Sequence, residues 1–371
     1  MDGYLFSIGT AFIVFPFVAL LFTIPYILHQ YRKYGSILFF KTAVVYSFIL
    51  CLLTMYFLII LPLPPISKVE RMTGPTTQFI PFTFVKDFLE KSGFVWNQFS
   101  TYLRAFKSSS FYNVFFNVLL FMPFGIYLRY YFRCKKGKVI LFSFLLSLFF
   151  ELTQLSALYG IYPRPYRLFD VDDLMMNTLG GFLGYAITPL LVFLLPTRDE
   201  LEKEAYEKGT KVSYFRRWVA FCIDAFFLTI ISFCIPFYEG IAKYVLLVSL
   251  YFIILPCLTK GRTLGKWMVK IKIVNEDGGN VHLHQYLIRN GLLYLLLLPT
   301  PFYVLSVLAN LNSVPFITIV VLGILIIAYT VYIFNCFFRM ITHKNALFYE
   351  EYSKTKQVST IVVENVEKEI Q

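Results

Sequence analysis

The chain has 371 residues, of which 58% are hydrophobic and only 15% are charged, and its formal net charge is +12. A soluble protein of this size needs more charged residues on its surface, so the composition excludes a soluble enzyme, a disordered protein and a secreted disulfide scaffold. It indicates an all-α, polytopic membrane protein, in which cationic loops, rather than nucleic-acid binding, explain the positive charge.

Nine apolar segments are long enough to cross a bilayer, since a helical span needs about 20 residues. They cover approximately residues 4–28, 42–61, 111–131, 139–159, 174–195, 218–237, 242–258, 287–308 and 315–338. With the N-terminus outside, 25 of the 34 basic residues fall in the inward connections and the C-terminal tail. Because inner loops are enriched in Lys and Arg, we expect the N-terminus outside and the C-terminus inside.

The connections between the spans suggest how the chain is divided. A charged stretch over residues 197–211 predicts an exposed cytoplasmic linker (196–213) between membrane domains at 1–195 and 214–365, with a cytoplasmic tail at 366–371. In the outward connection 62–110, residues 93–108 have the spacing of an amphipathic helix on the membrane surface. The six cysteines include no CxxC pair, and we expect all of them to be reduced.

Polar side chains recur inside the predicted spans of the first domain, where each needs a partner. Glu151 and Gln154 lie three residues apart in the fourth span and therefore share one helix face. Asn117 lies in the third span and Asn177 in the fifth. We expect these four side chains to meet inside the bundle.

The outward connection after the fourth span is crowded with charged residues. We expect Asp172 or Asp173 to be the N-cap of the fifth span. A buried Glu151 could act as an acid, Asp170 and Asp173 could hold a divalent cation and through it a phosphate, and Arg167 could bind a phosphate directly. The alternative is a salt-bridged turn that only joins the two spans.

These motifs resemble the VanZ-like membrane family over residues of about 40–195. The similarity rests on the strings FNVLLFMPFGIYL, FELTQL and RLFDVDDLMMNTLGGFLGY, with QFIPFTFV in the outer connection. The resemblance implies marked positions at Asn117, Pro123, Gly125, Glu151, Gln154, Arg167, Asp170, Asp173, Asn177, Gly180 and Gly184. Of these, Glu151, Asp170 and Asp173 are the predicted catalytic residues, and Asn117, Gln154, Arg167 and Asn177 are the predicted substrate-binding residues.

The VanZ-like family is linked to resistance to teicoplanin-type glycopeptide antibiotics in Gram-positive bacteria. The resemblance therefore implies a cell-envelope protein of the plasma membrane whose partners are membrane lipids. It would bind or modify a phosphate-bearing envelope lipid, or displace the lipid anchor of a glycopeptide antibiotic. The chain has none of the hydrolase, metalloprotease, kinase or nucleotide-binding motifs, so the sequence leaves open both the cofactor and whether the protein is an enzyme.

The second predicted domain carries its own intramembrane charge. Asp224 lies within the sixth span, and Arg217 lies two turns earlier on the same face. The two form either an ion pair that holds the bundle or, with Arg289, part of a cation or proton path. A hairpin is predicted from residues 270–273 to 281–284, and its two histidines lack the third ligand that would indicate a metal site.

This second region, over residues of about 210–365, resembles the four-helix RDD family. The matching features are the segment from Arg217 to Asp224, the string GRTLGKWMVKIKIV and Arg289. The last marked acid of that family is expected where this chain has His343–Asn345. Some members are proposed to exchange cations for protons, which would require Asp224. A non-catalytic membrane scaffold is a further hypothesis.

Overall fold

The computed structural model describes residues 2–235, 240–309, 315–342 and 346–361. The chain forms two compact units, Met1–Ile24 with Leu38–Leu201, and Pro25–Ile37 with Glu202–Gln371. Within the described residues, nine helices are long and apolar enough to cross a membrane, which confirms the predicted all-α polytopic fold. All six cysteines are free thiols, as expected.

The elements up to residue 191 are α1 (Asp2–Lys33), α2 (Phe39–Ile60), α3 (Ile66–Glu70), β1 (Thr77–Gln78), α4 (Thr83–Lys91), α5 (Phe99–Phe106), α6 (Ser109–Tyr130), α7 (Lys136–Leu155), α8 (Ala157–Gly160), β2 (Phe169–Asp170) and α9 (Val171–Leu191). The predicted amphipathic helix over residues 93–108 is confined to α5, where Phe99, Leu103 and Phe106 are exposed. Strands β1 and β2 pair in parallel, with Gln78 opposite Asp170.

The later elements are α10 (Arg198–Gly209), α11 (Tyr214–Cys234), α12 (Ile241–Val248), α13 (Leu255–Leu258), α14 (Leu264–Met268), β3 (Ile271–Asn275), α15 (Leu283–Asn290), α16 (Thr300–Ala309), α17 (Phe316–Ile341), α18 (Phe348–Tyr352) and β4 (Thr355–Ser359). Two π-helical segments, Ser249–Ile254 and Gly291–Leu297, continue α12 and α15. Their Phe252 and Tyr294 rings stack with centroids 3.8 Å apart.

Helices α6 and α9 form the closest helix pair of the first unit because glycines let their backbones touch. A Cβ atom on Gly180 would lie 2.2 Å from the carbonyl oxygen of Val118, and one on Gly184 would lie 2.0 Å from that of Met122. Gly125 of α6 is equally constrained. Small residues at such contacts are a general feature of membrane helix packing.

Most of residues 197–211 form α10, a charged helix with several exposed positions and one packed face. Ala205 is buried, and its carbonyl oxygen accepts a hydrogen bond of 2.5 Å from the Ser36 hydroxyl within the second unit. A Cβ atom on Gly209 would lie 1.8 Å from the carbonyl oxygen of Tyr34. Small residues four positions apart therefore give this charged helix one packed face.

The predicted hairpin at residues 270–284 is wrong in its second strand, since β3 pairs antiparallel with β4. The turn itself forms, and the N–H of Asn275 donates to the carbonyl oxygen of Gly279 at 3.1 Å. The chain then enters α15 instead of a strand, because His282 and Gln285 form a capping box at the start of that helix.

Candidate functional site

A cavity of about 1000 Å³ lies within the first unit, and its walls come from α1, α2, α6, α7, α9 and the segment before α9. All seven site residues predicted for this domain line it: Asn117, Glu151, Gln154, Arg167, Asp170, Asp173 and Asn177. Asn113, one turn before Asn117, also lines the cavity and was not among the predicted site residues. Its i, i+4 spacing from Asn117 was the signal that could have identified it.

The carboxyl groups of α7 and α9 are joined at the start of α9. Glu151 is buried, and its Oε2 accepts a hydrogen bond of 3.1 Å from the N–H of Asp170. Asp170 itself is the N-cap of α9, because its Oδ1 accepts from the N–H of Asp172 at 2.9 Å. The predicted cap, Asp172 or Asp173, is therefore wrong. Burial raises the pKa of Asp170; the hydrogen bond from the N–H of Asp172 opposes that rise, and the carboxylate of Asp172 adds to it.

Asp172 belongs to a different contact, although it stands between two cavity residues in sequence. Its two carboxylate oxygens accept from the N–H groups of Phe82 and Phe84, at 2.6 and 2.9 Å. It therefore anchors the start of α4 in the outer connection. The helical turn directs Asp170 and Asp173 into the cavity and Asp172 away from it.

Amide side chains complete the polar lining. The Nδ2 of Asn117 donates to the Oδ1 of Asp173 at 2.6 Å. The Nδ2 of Asn177 donates to the Ser147 hydroxyl at 2.9 Å. The Oδ1 of Asn177 is buried and has no hydrogen-bond partner among the described residues. A buried acceptor without a partner is costly, so this oxygen marks a place where a ligand donor would be favourable.

Gln154 and Arg167 hold the end of α2 beside the cavity. The Nε2 of Gln154 donates to the carbonyl oxygen of Ile59 at 3.2 Å, and a terminal nitrogen of Arg167 donates to that of Leu61 at 3.3 Å. Arg164 instead binds carbonyl groups of the outer connection. Only Arg167 therefore brings a positive charge to the lining.

Apolar side chains form most of the rest of the cavity wall, mainly from α1, α2 and α6. Phe12 of α1 lines the cavity and is nevertheless 58% exposed. Phe116 and Leu119 of α6 also line it and are 45% and 44% exposed. These residues therefore belong both to the cavity and to the apolar surface that contacts membrane lipids.

The predicted ion pair between Arg217 and Asp224 is wrong, because each residue has other partners. Arg217 pairs with Glu350 at 2.9 Å, and Arg289 pairs with the same carboxylate at 2.6 Å. Burial alone would raise the pKa of Glu350, but the two arginines outweigh it and hold that pKa below its usual value. His343–Asn345, where the marked acid was expected, lie outside the described residues.

Glu350 is the important residue of this unit that sequence reasoning missed. Two arginines within apolar spans need an acidic partner, and this need was the signal that could have identified it. The string FYEEY supplies such an acid after the last span.

Asp224 is fully buried and anchors the start of α14. Its Oδ1 accepts from the Tyr251 hydroxyl and the N–H of Gly265, both at 2.7 Å, and its Oδ2 accepts from the Thr263 hydroxyl at 2.6 Å. Lys266 is buried nearby, and burial lowers its pKa to about 8 although Asp224 opposes that shift. The three donors give Asp224 a structural role of its own.

The two predicted histidines, His282 and His284, stack with ring centroids 5.8 Å apart. Across the described part of the chain, no three His, Cys, Asp or Glu side chains come together in a way that could hold a metal ion.

The fold and the two buried sites define a multi-pass membrane protein made of two helical units. Two family models match it in tandem: VanZ/LLP1 over residues 45–193 and the RDD family over residues 211–344. The chain is therefore a VanZ-like membrane domain fused to an RDD-family membrane domain. It is a membrane protein of the cell envelope, and a place in the bacterial plasma membrane is consistent with both families. No curated protein and no solved structure matches the chain.

Proposed function

We propose that the first unit binds a phosphate-bearing lipid of the cell envelope in the cavity between α1, α2, α6, α7 and α9. The observation that carries this proposal is that seven predicted polar residues from three spans and one connection line a single cavity whose remaining wall, apart from Ser47, Thr54 and Asn113, is apolar. Such a cavity offers polar groups to a headgroup and an apolar surface to its chains.

Arg167 is the group that would hold the phosphate. It is the only basic residue of the lining, and a guanidinium can bind phosphate oxygens in pairs. The lipid chains would lie along Phe12, Phe116 and Leu119, which face both the cavity and the membrane. Retention of such a lipid, or displacement of the lipid anchor of a glycopeptide antibiotic from the same surface, would contribute to tolerance of that antibiotic.

If the lipid is also modified, Glu151 is the proton donor or acceptor that the cavity provides. It lies beside Asp170, and the amides of Asn117 and Asn177 would position the substrate. Binding and modification are separated by Glu151→Gln, which keeps the shape and hydrogen bonds of the side chain but cannot ionise. If the protein only binds the lipid, this variant should behave like the parent chain. If the protein is an enzyme, the variant should still bind the lipid but no longer convert it to product.

The test is lipid retention by the purified full chain in nanodiscs, measured by native mass spectrometry with a phosphate-bearing lipid such as a polyprenyl phosphate. Arg167→Gln should lower retention by about tenfold or more, because one charge-assisted contact is worth about 1.5–3 kcal/mol, a factor of about 10 to 150. Arg104→Gln is the matched control, since Arg104 is an exposed arginine of α5 outside the cavity. Equal retention by the parent chain and both variants would contradict the proposal.

Cation–proton exchange by the second unit is the second candidate, favoured by the fully buried carboxylate of Asp224 beside buried Lys266. Arg217 and Arg289 would then tune the path through Glu350. In proteoliposomes, Asp224→Asn should abolish proton-coupled cation flux while Glu151→Gln leaves it intact. If neither lipid retention nor flux is found, a non-catalytic scaffold is the remaining function.

A further inference from the structure

We infer that the headgroup bound in the first unit carries an amino group as well as a phosphate, so that the lipid is zwitterionic or cationic. This inference rests on the proposed lipid-binding function and names the chemical class of its ligand. It follows from the charge of the cavity, from its excess of hydrogen-bond acceptors and from the position of its one arginine.

The charge of the cavity opposes a purely anionic ligand. Its charged residues are the carboxylates of Glu151, Asp170 and Asp173 (−3) and the guanidinium of Arg167 (+1), a net of −2 when all are ionised and of −1 when Glu151 carries a proton. A phosphate alone would add negative charge to a partly buried site, which costs free energy at low effective dielectric. An ammonium group on the same headgroup compensates that charge.

The hydrogen-bonding capacity of the cavity points the same way. The Oδ1 of Asn177 is an acceptor, lies in a residue that is 4% exposed, and has no partner among the described residues. The carboxylates add further acceptor oxygens, of which Asp173 has an amide donor only at Oδ1. Phosphate oxygens bring mainly acceptors, whereas an ammonium group brings three donors. The ligand that satisfies this lining must therefore carry donors.

A divalent cation is the other way to neutralise carboxylates, but their arrangement does not favour it. Glu151, Asp170 and Asp173 do not form a three-ligand metal group anywhere in the described ranges. A Ca²⁺ or Mg²⁺ ion needs six or more oxygen ligands at short distances. A single ammonium group needs only two or three acceptors, and the lining offers the carboxylates of Asp170 and Asp173 and the Oδ1 of Asn177.

The headgroup has one arrangement that uses all of these groups. One terminal nitrogen of Arg167 donates a hydrogen bond to the carbonyl oxygen of Leu61, and the remaining N–H groups of Arg167 can bind the phosphate. The ammonium group then lies near the start of α9, among the acceptors of Asp170, Asp173 and the Oδ1 of Asn177, which the spacing 170, 173, 177 places on one helix face. The chains leave along the apolar wall that also faces the membrane.

The experiment compares lipids with identical acyl chains and different headgroups, using the full chain in nanodiscs and native mass spectrometry. The probes are phosphatidylethanolamine, N-acetylated phosphatidylethanolamine, phosphatidylglycerol and phosphatidic acid. Phosphatidylethanolamine should be retained about tenfold more than the other three, since one charge-assisted contact is worth about that factor. N-acetylation removes the cation while keeping an N–H group, so it separates charge from hydrogen bonding.

Substitutions at Asp173 and Arg167 test whether these residues produce the preference for phosphatidylethanolamine. Asp173→Asn should reduce the preference for phosphatidylethanolamine to about threefold or less, because it removes an acceptor for the ammonium group and a negative charge that opposes phosphatidylglycerol. Arg167→Gln should weaken all phosphate lipids alike. Glu90→Gln on exposed α4 is the matched control for a lost carboxylate and should keep the full preference.

The outcomes distinguish this inference from the proposal on which it rests. Equal retention of all four lipids, with loss in Arg167→Gln, would overturn the amino-group inference and leave phosphate-lipid binding intact. Retention of phosphatidylglycerol that requires Mg²⁺ and disappears with EDTA would also overturn it, in favour of a bridging cation. If the chain retains neither any of the four lipids nor the polyprenyl phosphate, the amino-group inference and the lipid-binding proposal are both overturned.

Discussion

Asp170 connects three features of the first unit through three different atoms. Its backbone pairs with Gln78 in the β1–β2 ladder, its N–H donates to Glu151, and its side chain caps α9. Among three nearby aspartates, sequence alone could not identify the cap, since each is an acceptable N-cap residue. The choice is made by the β1–β2 pairing, which holds Asp170 in the extended conformation that an N-cap needs.

Substitution of Asp170 separates its capping role from its charge. Asp170→Asn keeps an acceptor at the cap and should leave thermal stability within about 0.5 kcal/mol, whereas Asp170→Ala should cost about 1 kcal/mol. Both remove the carboxylate and should weaken retention of phosphatidylethanolamine. Thermal unfolding of the purified variants, followed by tryptophan fluorescence, checks the first expectation. Equal destabilisation by Asn and Ala would show that the cap is not what stabilises α9.

The raised pKa of Asp170 predicts how ligand binding depends on pH. An acid whose pKa is raised takes up its proton at a higher pH than a free aspartate, and the protonated form no longer attracts an ammonium group. Retention of phosphatidylethanolamine should therefore fall as pH is lowered through mildly acidic values. Asp170→Asn should remove that part of the pH dependence. A parent chain with a flat profile above pH 4 would contradict the prediction.

Lys266 makes the stability of the second unit depend on pH, because burial lowers its pKa, whereas burial raises the pKa of Asp170. The pKa of Lys266 is lowered by burial from 10.5 to about 8, so between those values the unfolded chain holds a proton that the folded chain lacks. Stability should therefore rise with pH from about 8 to 10.5, by roughly 3 kcal/mol at 1.36 kcal/mol per pH unit. Lys266→Met should be more stable than the parent at pH 7 and lose this rise, as thermal unfolding across pH 7–10 would show.

At the scale of elements, the polar positions were predictable and their partners were not. All seven predicted residues of the first domain line one cavity, because a polar side chain in a span must face the interior. The partner of Arg217 and Arg289 was missed because Glu350 lies 133 residues from Arg217 and 61 from Arg289. The β4 partner of β3 was missed for the same reason, since alternation does not specify a distant strand.

The contact between α6 and α9 supplies a test of element packing. A Cβ atom at Gly184 would lie 2.0 Å from the carbonyl oxygen of Met122, so Gly184→Ala must push the two helices apart. We expect a destabilisation of roughly 1–3 kcal/mol and a loss of lipid retention, since both helices line the cavity. Gly137→Ala in α7 is the control, because a Cβ atom there meets nothing within 4 Å. Both are measured by thermal unfolding, and equal melting temperatures would contradict the packing argument.

At the scale of the whole molecule, the orientation in the membrane is a prediction from the distribution of basic residues. Reporters that are active outside the cell should score positive at residue 1 and in the connection 62–110, and a reporter at residue 371 should score as inside. This orientation places Asp170, Asp173 and Arg167 towards the outer leaflet, where envelope lipids are exposed. A C-terminus that scores outside would place the cavity at the inner leaflet and remove the basis for action at the cell surface.

The domain boundaries predicted from sequence, 1–195 and 214–365, can be tested against the two units of the structure. The second unit includes Pro25–Ile37, so a fragment that starts at residue 206 lacks part of its own core. Tyr31 is buried in one cluster with Val219 and Ile271, and the loop after it covers Ala205 of α10.

Expression of the fragment 206–371 alone should therefore give little folded protein, while co-expression with 1–205 should restore it, because the first fragment supplies residues 25–37. Protease resistance and membrane accumulation of the tagged fragments measure both effects. The matched control is the same pair of fragments with Tyr31→Ala in the first, which removes the buried ring and should weaken the rescue. If 206–371 accumulates in a protease-resistant form by itself, residues 25–37 are dispensable and residues 206–371 form an independent domain.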